Sequence, residues 1–134
     1  MSLPVIVGCG TTAIKSEHVG SNPRDLTTEA VLACIADAGI ENLQHVEQGI
    51  TSYESDHFNF QMTLGAILHD TIGMLPKPNV RVEGGGATGA LALRTAWAYL
   101  QSGLCDSVLV YGCEKNGRGV SSKTANQLFA LSAD

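Results

Sequence analysis

The stretch from Asn79 to Leu93, NVRVEGGGATGALAL, most constrains what this chain can fold into. Val80 and Val82 alternate with Asn79 and Arg81, the period-2 pattern of a short strand. Gly84, Gly85 and Gly86 let the backbone turn sharply, including through positive φ. Thr88 is placed to cap the helix that follows. From Ala90 to Leu100 that helix is apolar except for Arg94 and Thr95, which join Gln101 and Ser102 in one narrow polar stripe. A helix apolar over most of its circumference is expected to be buried on more than one side.

A helix that starts at a glycine turn has unpaired backbone N–H groups at its head. With the helix dipole they favour an anion, an oxyanion or a thiolate. Gly84, Gly85, Gly86, Ala87, Thr88 and Gly89 are therefore the candidate binding segment. The residues also fit a plainer reading, a tight turn in which glycine permits close packing.

The rest of the chain supplies the layers. Leu3 to Gly8 reads as a buried strand. Asp25 is placed to cap a helix running to about Ala38, with Gly39 as its stop. Val46 to Tyr53 is a second strand, and Ser55 or Asp56 would start a helix from Phe58 to about Ile72. The glycine turn and its helix follow, Gly103 ends that helix, and Ser107 to Tyr111 makes a fourth strand. The order βαβαβαβ predicts an α/β fold with a parallel sheet and helices on both faces. Ala125, Leu128, Phe129 and Ala133 suggest a final helix, with no stop signal after it. The sequence therefore reads as cut rather than finished.

Val7-Gly8-Cys9-Gly10-Thr11-Thr12-Ala13 matches G-x-G-x-x-A after a strand, the form of a dinucleotide-binding turn. The context fails, because the helical pattern begins only near Asp25 and no acid ends the next strand at ribose distance. The net charge of −5 argues against a nucleic-acid partner held through phosphates. Lys115, Arg118 and Lys123 read as a solvated basic loop. No apolar run reaches membrane-spanning length. Cys9, Cys34, Cys105 and Cys113 form no metal-type pair, and His18, His45, His57 and His69 are scattered, so no metal site is expected. Cys34 reads as core packing, and none of the four thiols sits at a predicted helix start that would activate it. Reduced thiols in a cytoplasmic protein are the simplest account.

Several pieces, in order, resemble the thiolase superfamily over nearly the whole chain. They are Val5-Ile6-Val7-Gly8 with Thr11-Thr12, then Asp25-Leu26 through Ala36-Asp37-Ala38-Gly39-Ile40. Val82-Glu83 with Ala87-Thr88-Gly89-Ala90 and Ala92-Leu93 follow, then Ser102-Gly103-Leu104 and Val108 to Lys115. The flavour is that of the sterol-carrier or lipid-transfer thiolases, often labelled acetyl-CoA acetyltransferase. The resemblance implies a fold of two similar halves, each on a five-stranded mixed sheet. Residues 1–134 would be a partial N-terminal domain, an incomplete first half covering about the first third of such a protein. It also implies an acyl-CoA thioester as substrate, with no separate cofactor. Homo-oligomers through the Asn79–Glu83 strand and a small partner protein are further implications.

Two departures from the family pattern limit the chemistry it implies. The family's nucleophilic cysteine aligns with Gly86, which cannot form an acyl-enzyme thioester. Its catalytic histidines and second cysteine belong to later segments, so no catalytic residue is assigned here. Three functions are then open: an acyltransferase fragment inactive alone, a cysteine-less aldolase cleaving β-hydroxyacyl-CoA, or a non-enzymatic module that binds acyl-CoA or pairs with another subunit.

Overall fold

The computed structural model describes residues 3–54, 56, 58, 61–115 and 121–131. In chain order the elements are α1 (Pro23–Ala38), β1 (Gln48–Ser52), α2 (Leu64–Thr71), β2 (Asn79–Val82), α3 (Thr88–Gln101), β3 (Val108–Tyr111) and α4 (Ser122–Ala130). A short 3-10 turn, Gly85–Ala87, leads into α3. The three strands form one parallel sheet in the order β2-β1-β3. Parallel neighbours need crossover connections, and the helices between them supply these.

Strand alternation sends side chains to two separate cores. Ile50, Val80, Val82, Val108 and Val110 point to the α3 face and meet Ala92 and Ala96. Leu109 and Tyr111 point to the opposite face, where Val31 of α1 and Leu64 and Leu68 of α2 cover them. Helices thus lie on both faces of the sheet, as the element order implies.

The second face carries a buried polar chain. His69 Nε2 lies 2.9 Å from the Lys77 carbonyl, which can only accept, so Nε2 carries the proton. Nδ1 is then an acceptor, and the Tyr111 hydroxyl donates to it across 2.8 Å. Thr51 Oγ1 donates to Asn79 Oδ1 at 2.9 Å, and Asn79 Nδ2 donates to the Gly65 carbonyl at 3.2 Å. Helix α2 is thereby bonded to β2 and β3 as well as packed on the sheet. Buried polar groups that are fully partnered in this way fix one arrangement of the elements.

Helix boundaries follow local chemistry. Asn22, not Asp25, is the N-cap of α1; its side chain accepts from the Arg24 and Asp25 N–H groups. Asp25 sits three residues in and accepts from the Asn22 N–H at 2.8 Å, with Pro23 at the first helical position. Gly39 ends the helix at φ 66°, as expected. α2 starts later than the pattern from Phe58 suggests, because Thr63 stands in the left-handed region at φ 56° and interrupts it. Asp56 pairs with Arg81 at 3.3 Å instead of capping α2, and Ser55 lies outside the described residues. Phe58 packs on Phe129 of α4, with ring centroids 4.8 Å apart.

The expected first strand is corrected. Residues 3–8 join no ladder among the described residues. The end of the segment, from Gly8 to Gly10, sits on α1 instead, and the two glycines of the G-x-G motif explain why. A Cβ on Gly8 would stand 2.7 Å from Ala38 Cβ, and one on Gly10 would stand 2.0 Å from the Ala30 carbonyl oxygen. These glycines let a backbone sit flush on a helix, so the motif is a packing device. Cys9 N–H fastens the contact by donating to Asp37 Oδ2 at 2.8 Å. The expectation that α3 is buried on more than one side is corrected too. Ala92 and Ala96 face the sheet, while Leu93 and Trp97 remain exposed.

Candidate functional site

β2 delivers the chain to the glycine turn at one edge of the sheet. The three glycines there differ in what a side chain would meet. A Cβ on Gly84 would lie 2.2 Å from Leu91 Cδ1. Gly85 has φ 53°, in the left-handed region that a side chain disfavours. Gly86 has neither constraint: its φ lies outside that region, and a Cβ added there meets nothing within 4 Å. Position 86 is open space at the head of α3.

Thr88 does not act as the simple N-cap its position suggests. It is the first residue of α3, and its hydroxyl locks the turn from within. Thr88 Oγ1 accepts from Gly84 N–H at 2.9 Å and donates to the Gly85 carbonyl at 2.7 Å. The Glu83 carboxylate accepts from Gly85 N–H at 3.1 Å, and Ala87 N–H bonds back to the Gly84 carbonyl at 3.1 Å. The free amides expected at this turn are therefore largely used internally. Among the described residues, Gly86 N–H has no partner. The turn sets the Gly86 N–H beside an empty side-chain position, with the α3 dipole behind it. The sequence showed Glu83 and Thr88, but nothing in their spacing revealed that they consume the amides.

Burial works against three of the thiols as nucleophiles. Burial pushes Cys34 and Cys105 up, and it pushes Cys113 up to about 11. All four cysteines are free, and the described residues contain no cluster able to hold a metal ion. Lys115 is not part of a solvated basic loop. It is half-buried, and its Nζ donates to the His18 and Ser21 carbonyls, closing a polar cavity of about 310 Å³ between residues 10–18 and 112–115. Arg118 lies outside the described residues. No helix among them is long and apolar enough to cross a membrane.

No protein-family model matches the chain. Individual proteins do. The acetyl-CoA acetyltransferase of Methanothermobacter thermautotrophicus is 36% identical over 92 residues, covering 69% of this chain and 24% of its own length. That of Methanocaldococcus jannaschii is 34% identical over 110 residues, covering 82% and 28%. Sterol carrier protein 2 of Gallus gallus is 36% identical over 118 residues, covering 85% and 20%. The chain thus spans between 20% and 28% of the length of these relatives. Among solved structures, the Ltp2-ChsH2(DUF35) aldolase superposes with a TM-score of 0.63 at 23% identity, covering 94% of this chain and 31% of its own. A Xanthomonas campestris OleA variant does so at 0.59 and 15%, covering 87% and 34%. Relatives matched through most of this chain and neighbours sharing its α/β layers agree: the chain belongs to the thiolase superfamily.

Proposed function

We propose that this chain is the part of a thiolase-type protein that presents an acyl-CoA thioester to the Gly84–Gly89 turn, and that it performs no acyl transfer by itself. The substrate class comes from the relatives named acetyl-CoA acetyltransferase. The observation that carries the reading is Gly86. On the sequence resemblance, the superfamily's nucleophilic cysteine falls at this position, and glycine cannot form the acyl-enzyme. The turn favours glycine at 85, where φ is positive, meets only the movable tip of Leu91 at 84, and tolerates a side chain at 86. The missing side chain is then a chemical property of this protein and no requirement of its backbone. The buried thiols, held above their ordinary range, offer no replacement.

A second reading is supported by the likeness to an aldolase structure over 94% of the chain. Cleaving a β-hydroxyacyl thioester needs no thiol. A base takes the hydroxyl proton, the carbon–carbon bond breaks, and its electron pair moves onto the thioester oxygen as an enolate. Gly86 N–H is a donor suited to that oxygen. The base would come from sequence this chain does not contain. In either reading β2, as an outer strand with an unpaired edge, is the surface for a second copy. A small partner protein belongs to the aldolase reading.

Calorimetry with acetyl-CoA and with a β-hydroxyacyl-CoA tests the proposal. Saturable binding is expected for both, and no heat at the solubility limit of either ligand removes it. Gly86→Cys tests the assigned position. A thiol there that iodoacetamide alkylates faster than free cysteine at neutral pH supports the alignment, and one no faster counts against it.

A further inference from the structure

Strand β2 ends at Val82, and the next residue, Glu83, carries an exposed carboxylate. That carboxylate is tethered, because its Oε1 accepts from the Gly85 N–H at 3.1 Å. A negative charge is thereby held at the head of α3, the helix end whose dipole favours one. Backbone amides in a left-handed turn are an ordinary seat for an anion, and Gly85 stands at φ 53°. The chain's own side chain already takes that seat. Among the described residues no cation forms an ion pair with Glu83. Arg81, two residues back, is engaged elsewhere: it pairs with Asp56 at 3.3 Å, donates to the Glu54 carbonyl at 2.9 Å and lies over the Tyr53 ring. No counter-charge therefore cancels Glu83, one residue from the Gly86 N–H.

Two kinds of acyl head can be brought to that N–H. A thioester presents a neutral carbonyl oxygen, which accepts from the amide and meets no charge repulsion. The free acid of the same acyl group presents a carboxylate, which the amides and the dipole would ordinarily draw in. Beside Glu83 it meets a like charge instead. One like charge about 4 Å away weakens binding by at least ~5-fold even under full water screening.

We propose that Glu83 is the specificity-determining residue of the Gly84–Gly89 turn, a fixed charge that admits the neutral thioester and refuses the free carboxylic acid. The ligand turned away is the acid that hydrolysis of the thioester leaves, so the hydrolysed form does not occupy the turn. The inference rests on the acyl-CoA reading. It favours binding over aldol cleavage, because the same charge works against an enolate on the Gly86 N–H.

The test compares this chain with Glu83→Gln and Glu83→Asp. Glutamine keeps a carbonyl that can accept from the Gly85 N–H and removes the charge, whereas aspartate keeps the charge. The probes are sodium acetate and S-acetyl-N-acetylcysteamine, a neutral thioester without the phosphates of coenzyme A. Amide shifts of Gly85 and Gly86 are followed by NMR at low ionic strength, where surface charge is least screened, with sodium chloride as the control salt. The thioester is expected to shift Gly86 saturably and with equal affinity in all three proteins. Acetate is expected to bind Glu83→Gln at least ~5-fold more tightly than the unchanged chain, and Glu83→Asp no more tightly than the unchanged chain. Acetate that binds the unchanged chain and Glu83→Gln equally, or binds neither, overturns the proposal. So does acetate binding to Glu83→Asp as tightly as to Glu83→Gln, because shape and not charge is then the filter. If the thioester shifts Gly86 in none of the proteins while acetate still separates them, the acyl-CoA reading fails and the charge filter stands.

Discussion

Alanine substitution at each of the three turn glycines separates what the fold requires from what the chemistry lacks. At Gly85 the backbone is left-handed, and placing a Cβ there costs about 1–2 kcal/mol. The loss of unfolded-state freedom returns about 0.4–1 kcal/mol, so Gly85→Ala is destabilising by roughly 1 kcal/mol. At Gly84 the new Cβ meets the tip of Leu91 at 2.2 Å. A flexible side chain can turn away at about 0.5–1.5 kcal/mol, which leaves Gly84→Ala near neutral. At Gly86 nothing lies within 4 Å, and only the entropic gain of about 0.4–1 kcal/mol remains. The expected order of stability is therefore alanine at 86, then at 84, then at 85. The two extremes differ by roughly 2 kcal/mol, which corresponds to about 1 M in urea midpoint for a protein of this size. Equilibrium urea unfolding followed by circular dichroism measures the order. If Gly86→Ala unfolds before Gly85→Ala, glycine at 86 is a packing necessity, and the absence of a side chain there says nothing about chemistry.

Gly49→Ala pushes a Cβ to 2.6 Å from the His69 ring, which two hydrogen bonds hold in place, so a loss of about 1–3 kcal/mol is expected in the same urea assay. Tyr111→Phe leaves His69 Nδ1 buried without a donor, at about 1–3 kcal/mol. Burial pushes the Tyr111 phenol up to about 12, against an ordinary value of 10.0. Between those values the unfolded chain releases the proton first, so stability holds below pH ~10 and falls by up to about 3 kcal/mol as pH rises toward ~12. An unfolding series across that range checks the slope, which Tyr111→Phe should reduce. Asn22→Ala removes the acceptor for two N–H groups at the start of α1 and is expected to cost about 1 kcal/mol, read as a lower thermal midpoint.

Much of this architecture is legible in the sequence where a local rule acts alone. Gly39 and Gly103 end helices because a left-handed residue is needed there, and the alternation of Val80 with Val82 marks a strand that does form. The reading fails where a distant partner decides. Val5, Ile6 and Val7 have the composition of a strand, yet no described neighbour pairs with them, and their glycines are shaped to α1. Asn22 outcompetes Asp25 as a cap because the two complete one reciprocal box, which a single-residue view misses. At the turn, the sequence located the segment but not its bonding. That Thr88 and Glu83 occupy two of the amides depends on how the backbone folds over Gly85, a fact of geometry and not of residue type.

The position of Gly49 beneath His69 also works as a ruler for strand alignment. The imidazole is bolted to the Lys77 carbonyl on one side and to Tyr111 on the other, so it marks a fixed point on the face of the sheet. Only a residue without a side chain fits under it. Sliding β1 by one residue against its neighbours would bring Gln48 or Ile50 to that point and would also turn every side chain of β1 to the wrong face. The ring therefore has a seat only in the correctly aligned sheet, and that seat is on the central strand, where an error would propagate to both neighbours.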